Sequence, residues 1–113
     1  MTIVETTPAV APRLPLARLQ RDAYRVLVEV DALAGAALEP GLRRLVKVRA
    51  SQMNGCAYCI DMDAKDARAE GESEQRVYVL DDWREAPFNA ARERAALAYF
   101  EPATRVAETH GAR

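Results

Sequence analysis

Histidine and cysteine are scarce in this chain: His110 is its one histidine, and Cys56 and Cys59 are its two cysteines among 113 residues. A structural zinc site usually needs four ligands, and His110 lies far along the chain from the cysteine pair, so no metal site is expected. Charge of one sign is also missing. The chain has 16 Lys and Arg against 17 Asp and Glu, which leaves a formal charge of −1 and no basic surplus of the kind that points to nucleic acid. No uncharged apolar run is long enough to span a membrane. The N-terminus, Met1-Thr2-Ile3-Val4-Glu5, lacks the basic start and apolar stretch of a secretory signal, so a cytoplasmic protein is the expectation. Convincing strands, internal repeats and low-complexity tracts are absent too.

What remains is a helical pattern. Half the residues are apolar, and the length suits one domain with a modest core. Residues 1–16, with Pro8, Pro12 and Pro15, read as an extended N-terminal arm, and 17–113 as an all-α domain. A first helix over Asp22 to Leu33 carries Ala23, Val26, Leu27, Val30 and Leu33 on one stripe. After the Glu39-Pro40-Gly41 turn, a second helix turns Leu42, Leu45, Val46 and Met53 inward. A third runs from about Gly55 to Glu70, with Asn54 as N-cap and Gly71 just past its end. Ser73 caps a fourth helix that reaches Trp83 before the break at Pro87. Asn89 caps a fifth through about Glu108, with Ala95, Tyr99, Ala103 and Val106 on one side, and Pro102 should kink it or end it early.

The two cysteines sit in Asn54-Gly55-Cys56-Ala57-Tyr58-Cys59, three residues apart at a helix start. Positions i and i+3 face the same way, close enough for a disulfide. The unpaired amides and partial positive charge of a first helical turn favour a thiolate, the nucleophilic form of sulfur. Two small buried core residues would be the plainer interpretation, but a CxxC at a helix start favours redox use, and in a cytosolic protein such a pair is more often catalytic or metal-binding than a permanent staple. A thioredoxin-like site would need a preceding strand in a βαβ pattern, which is missing. A cysteine–histidine nucleophile would need His110 to fold back, and a terminal histidine is more often exposed. Tyr58 fits the lining of a pocket or interface better than a role in proton transfer.

Projected at about 100° per residue, the third helix puts Cys56, Ile60, Asp63 and Ala67 on one face, Cys59 at its edge, and Tyr58, Asp61, Lys65 and Arg68 away from it. Asp63 thus falls in the stripe that packs on the core, where an unpaired carboxylate is expensive. The second helix offers Arg44, at the margin of its apolar face, and Arg49, in the middle of it, as partners. An Arg44–Asp63 ion pair is the expectation, with Arg49 as competitor. It would serve either to join the helices or to tune the thiols.

The stretch Leu45-Val46-Lys47-Val48-Arg49-Ala50-Ser51-Gln52-Met53-Asn54-Gly55-Cys56-Ala57-Tyr58-Cys59-Ile60-Asp61-Met62 resembles the core of AhpD-like alkylhydroperoxidases, of the carboxymuconolactone decarboxylase-like superfamily. The similarity extends through Lys65-Asp66-Ala67-Arg68, Trp83-Arg84-Glu85-Ala86-Pro87-Phe88, Arg92-Glu93-Arg94-Ala95-Ala96-Leu97 and Arg105-Val106-Ala107-Glu108-Thr109-His110, and back to Arg13-Leu14-Pro15-Leu16. This resemblance implies an all-helical fold that assembles into homo-oligomers, with the CxxC at an active site near subunit contacts; no bound cofactor is expected. It implies a thiol-dependent peroxidase acting on small organic hydroperoxides, with Cys59 attacking the peroxide, Cys56 resolving the sulfenic acid into a disulfide, and an external dithiol as electron donor.

Two departures stand out. The family's proton relay uses a glutamate twelve residues before the first cysteine and a histidine four after the second, and these positions hold Arg44 and Asp63. An aspartate is a much weaker base than a histidine and an arginine is none, so the resemblance implies a weakened peroxidase. The chain also stops at Gly111-Ala112-Arg113, where family members continue with further helix; a truncated member or cover from oligomer partners would explain it. The competing reading is a non-enzymatic member that keeps the fold and uses its disulfide as a redox-sensing element. Carboxymuconolactone decarboxylation itself ranks last, because the CxxC points to the thiol branch.

Overall fold

The computed structural model describes residues 13–110, so the expected arm lies outside the described residues up to residue 12. Seven α-helices follow: α1 (Leu16–Leu19), α2 (Arg21–Ala36), α3 (Pro40–Asn54), α4 (Ala57–Ala69), α5 (Glu74–Tyr78), α6 (Ala91–Thr104) and α7 (Val106–Thr109). A single 3-10 turn spans Leu80–Asp82, and the described residues contain no strand. Two compact units divide between Ala34 and Gly35.

The second unit is built around α3, which packs on both α4 and α6. Leu45 and Val48 of α3, Ala67 of α4, Leu80, Trp83 and Leu97 of α6 form its core, with Val77 packed against them. The expected inward face of α3 holds for Leu42, Leu45 and Val46, while Met53 is half-buried. Short-range chemistry sets the helix ends. Pro40 occupies the first turn of α3, where no backbone donor is needed. Gly71 takes a positive φ of 97° just after α4, and Ser73 accepts the Arg76 N–H to cap α5, both as expected.

Several boundaries differ from expectation. Asn54 ends α3, and Gly55, with φ 64°, is the left-handed residue that closes it; α4 begins at Ala57 with Cys56 as its N-cap. The helix after Ser73 stops at Tyr78. The N-cap of α6 is Ala90, one residue after Asn89, and Glu93 Oε1 accepts the Ala90 N–H at 2.7 Å. Pro102 lies in the last turn of α6, which ends at Thr104, and α7 starts separately after Arg105.

Two faces also differ. On α6 the buried positions are Leu97 and Glu101, whereas Ala95 and Tyr99 are exposed, as is Val106 of α7. The true inward stripe contains a carboxylate, so it does not read as apolar. In the first unit the α2 stripe forms as a helix, but Leu27 is 61% and Leu33 75% exposed. That unit's only other described helix is the four-residue α1, too short to cover such a stripe.

Glu101 is a buried and heavily engaged acid of the second unit. Its Oε1 accepts from Arg49 Nε at 3.0 Å and Trp83 Nε1 at 2.8 Å, and its Oε2 from Arg84 at 2.7 Å. Arg94 of α6 donates to the carbonyls of Trp83 and Arg84, and the guanidinium of Arg84 lies 4.3 Å from the Trp83 ring centroid. Burial alone would raise the Glu101 pKa, but the hydrogen bonds from Arg84, Trp83 and Arg49 outweigh it and hold the carboxyl down to about 2.

Since the folded value lies below the unfolded one, this stabilisation is complete above about 4.5 and is lost as pH falls through about 2. Glu101→Gln should therefore cost about 3 kcal/mol near neutrality. Urea unfolding of both proteins across the acid range should show the gap closing toward low pH. A gap that stays constant throughout would contradict the charge-based account.

Candidate redox site

The site lies where α3 hands over to α4. After the left-handed turn at Gly55, the Cys56 N–H donates to the Ser51 carbonyl at 3.3 Å, which holds the first cysteine against the last turn of α3. The Cys56 backbone is extended, and its Sγ accepts the Cys59 N–H at 3.2 Å, so a sulfur fills the place that serine or aspartate usually takes in capping a helix. Cys56 and Cys59 are joined as a disulfide with their Cα atoms 5.2 Å apart, as the i, i+3 spacing predicts. Both are half-buried.

The burial pattern of α4 matches its sequence projection. Asp63 and Ala67 are buried, Ile60 is half-buried, and Tyr58, Asp61, Lys65 and Arg68 are exposed. Tyr58 stands 76% exposed beside the disulfide. His110 is exposed in the described C-terminal part, with a left-handed backbone.

The expected Arg44–Asp63 ion pair does not form. Asp63 Oδ2 instead accepts the Ser51 hydroxyl at 2.6 Å, a contact buried between α3 and α4. Arg44 reaches further along α4, to Glu70 at 2.9 Å and Asp66 at 3.6 Å. The hydrogen bond to Glu70 raises the Arg44 pKa and lowers that of Glu70, with only a minor contribution from Asp63 to the former. Arg49, the expected competitor, is committed to Glu101. The reason is spacing: seven residues, about two turns of α3, separate Arg44 from Ser51 at the level of Asp63, and nearer carboxylates at Asp66 and Glu70 take its guanidinium. Ser51 was not singled out by sequence reasoning. The available signal was its place in the stripe of Leu45 and Val48, where a buried hydroxyl needs an acceptor.

One turn beyond the disulfide, the buried carboxylate held by a hydroxyl gives the candidate site an internal polar neighbour. No group of three or more metal-ligating side chains occurs among the described residues. None of the described helices is long and apolar enough to cross a membrane.

Comparison with known proteins fits this site. The Carboxymuconolactone decarboxylase family matches residues 21–102, and the chain belongs to that family, as an AhpD-like member. The chain is 55% identical over 62 residues to the uncharacterized protein YdfG of Bacillus subtilis, covering 55% of this chain and 42% of that one. It is 34% identical over 67 residues to the uncharacterized protein YnjA of Escherichia coli, covering 59% of this chain and 37% of that one. The matched regions thus span less than half the length of these relatives. A crystal structure of ATU0492 from Agrobacterium tumefaciens superposes with a TM-score of 0.80 and 35% identity, covering 88% of this chain and 69% of that one. ATU0492 is a protein of unknown function suggested to be the antioxidant-defence protein AhpD. The all-helical fold is AhpD-like, and together with the disulfide it is compatible with an antioxidant role.

The two arginine and aspartate contacts lead to a stability contrast. Ser51→Ala leaves Asp63 buried without its hydroxyl donor and should cost about 1–3 kcal/mol. Arg44→Ala removes contacts to partners that face solvent and should cost less. Denaturant unfolding of the two variants checks the order, and a larger loss for Arg44→Ala would mean that Arg44 is what secures α3 to α4.

Proposed function

We propose that this protein is a thiol-dependent peroxidase that reduces small organic hydroperoxides through the Cys56–Cys59 dithiol/disulfide cycle. The observation that carries the reading is the disulfide at the N-terminus of α4, in a member of the carboxymuconolactone decarboxylase family with an AhpD-like fold. The cycle takes two electrons from the dithiol to the peroxide, and an external dithiol in the cytoplasm returns them. The resemblance assigns attack to Cys59 and resolution to Cys56.

Activity is weak on this reading, because both relay positions carry other duties. Arg44 is bound to Glu70 and Asp66, and Asp63 to Ser51. That same observation favours a second reading, in which the pair is a redox-sensing element without turnover. The protein also assembles as a homo-oligomer on this proposal, supported by the exposed apolar residues of α2.

The reduced protein should consume an organic hydroperoxide catalytically when supplied with a dithiol, and Cys56→Ser with Cys59→Ser in one chain should abolish this. Disulfide formation without consumption above that of the dithiol alone would favour the sensing reading. Light scattering at micromolar concentration should give a mass above that of one chain, and a monomer there would count against assembly.

A further inference from the structure

The two sulfurs of the disulfide sit in unequal surroundings. Cys56 is the N-cap of a thirteen-residue helix, with its Sγ placed to accept a backbone N–H from the first turn. That placement comes from the backbone: Gly55 in its left-handed conformation and the Cys56 N–H on Ser51 set it, and neither depends on the S–S bond. Once the bond is reduced, Cys56 sulfur keeps the amide donor and the positive end of the helix, both of which stabilise a thiolate.

Cys59 occupies the third position of the helix. Asp63 follows it by four residues, so the two side chains are neighbours on one helix face, with Cβ atoms about 5–6 Å apart. Asp63 is 7% exposed and fixed by the Ser51 hydroxyl. A carboxylate so close to a half-buried thiol opposes its ionisation, because two negative charges in a water-poor site repel. The charged groups of the only helix that packs extensively on α4 do not cancel this. On α3, Arg44 is the cation whose field reaches Asp63, and Glu70 and Asp66 already neutralise it, while Arg49 pairs with Glu101. Lys47 also engages a partner. On α4 itself, Asp61 and Lys65 pair with each other on the exposed face.

We infer that Cys56 is the more acidic thiol and the attacking sulfur in this protein, and that Asp63, positioned by Ser51, keeps Cys59 protonated until it resolves. This reverses the order that the family resemblance implies, and its peroxide chemistry rests on the function proposed above. Cys56 thiolate attacks the terminal oxygen of the hydroperoxide; an S–O bond forms, the O–O bond breaks, and the alkoxide leaves as alcohol after taking a proton. Cys56 is oxidised by two electrons to the sulfenic acid, and the peroxide is reduced by two. Cys59 sulfur then attacks the sulfenic sulfur, giving its thiol proton to Asp63. The S–S bond forms, the S–O bond breaks, and the leaving hydroxide takes that proton from Asp63 to depart as water. The external dithiol restores the pair.

The test measures alkylation rate against pH on two reduced single-cysteine variants. Cys59→Ser leaves Cys56, and Cys56→Ser leaves Cys59 while retaining a good capping side chain. The midpoint for Cys56 should lie lower by about one pH unit, roughly tenfold in thiolate fraction near neutrality. Adding Asp63→Asn, which retains an acceptor for Ser51, should lower the Cys59 midpoint and leave that of Cys56 nearly unchanged. Equal midpoints, a lower midpoint for Cys59, or a Cys59 midpoint unmoved by Asp63→Asn would each overturn the inference, whether or not the protein is a peroxidase. With hydroperoxide added, sulfenic acid should form in Cys59→Ser and fall at least tenfold in Cys56→Ser. The opposite pattern would overturn the order while leaving the peroxidase reading in place. Sulfenic acid in neither variant, with the alkylation order as expected, would overturn the peroxidase reading and leave the thiol inequality standing.

Discussion

The carboxylate of Glu101 ties the second unit together. It joins α6 to Arg49 of α3 and to Trp83 and Arg84 of the intervening segment, three hydrogen bonds on two oxygens. The three donors outweigh the cost of burial and hold this carboxylate charged. The consequence reaches the redox site through α3. Arg49 sits two residues before Ser51, and Ser51 carries both contacts that place the site: its carbonyl on Cys56 and its hydroxyl on Asp63. The Glu101 anchor and the contacts that place the disulfide thus meet on one helix, α3.

Asp63 is the second buried acid, and it contrasts with the first. Glu101 meets two guanidiniums and an indole N–H, whereas Asp63 meets a neutral hydroxyl. Arg44, at the other relay position, points past it to Glu70 and Asp66. Exchanging the family's glutamate and histidine for arginine and aspartate thus does not produce one reversed ion pair. It produces two separate contacts, one structural and near the surface, one buried beside a thiol. Returning Arg44 to glutamate would place a third acid next to Glu70 and Asp66, so restoring the family residues would not simply restore the family geometry.

The helical pattern and many of its caps were legible in the sequence because they rest on local chemistry: Pro40, Gly71 and Ser73 act within a turn or two of where they stand. The face of α4 was legible as well, including the burial of Asp63, since helical periodicity alone sets it. Asn54-Gly55 misled because the same dipeptide can open a helix or close one, and here the glycine closes α3 so that Cys56 becomes the cap. The inward face of α6 was hidden because Glu101 interrupts its apolar character. The stripe of α2 was read correctly as a helix but not as an exposed one, since periodicity does not say what covers a face. Which arginine meets which acid was beyond reach, because several carboxylates lie within one side-chain length of Arg44.

The central claim is that the Cys56–Cys59 pair takes oxidising equivalents from a hydroperoxide and stores them as one disulfide. Mixing the fully reduced protein with one equivalent of organic hydroperoxide under anaerobic conditions, then weighing the peptide that contains both cysteines, tests this in a single turnover. The account predicts the loss of two hydrogens from that peptide, with one alcohol released per chain. Unchanged peptide mass with intact peroxide would contradict it.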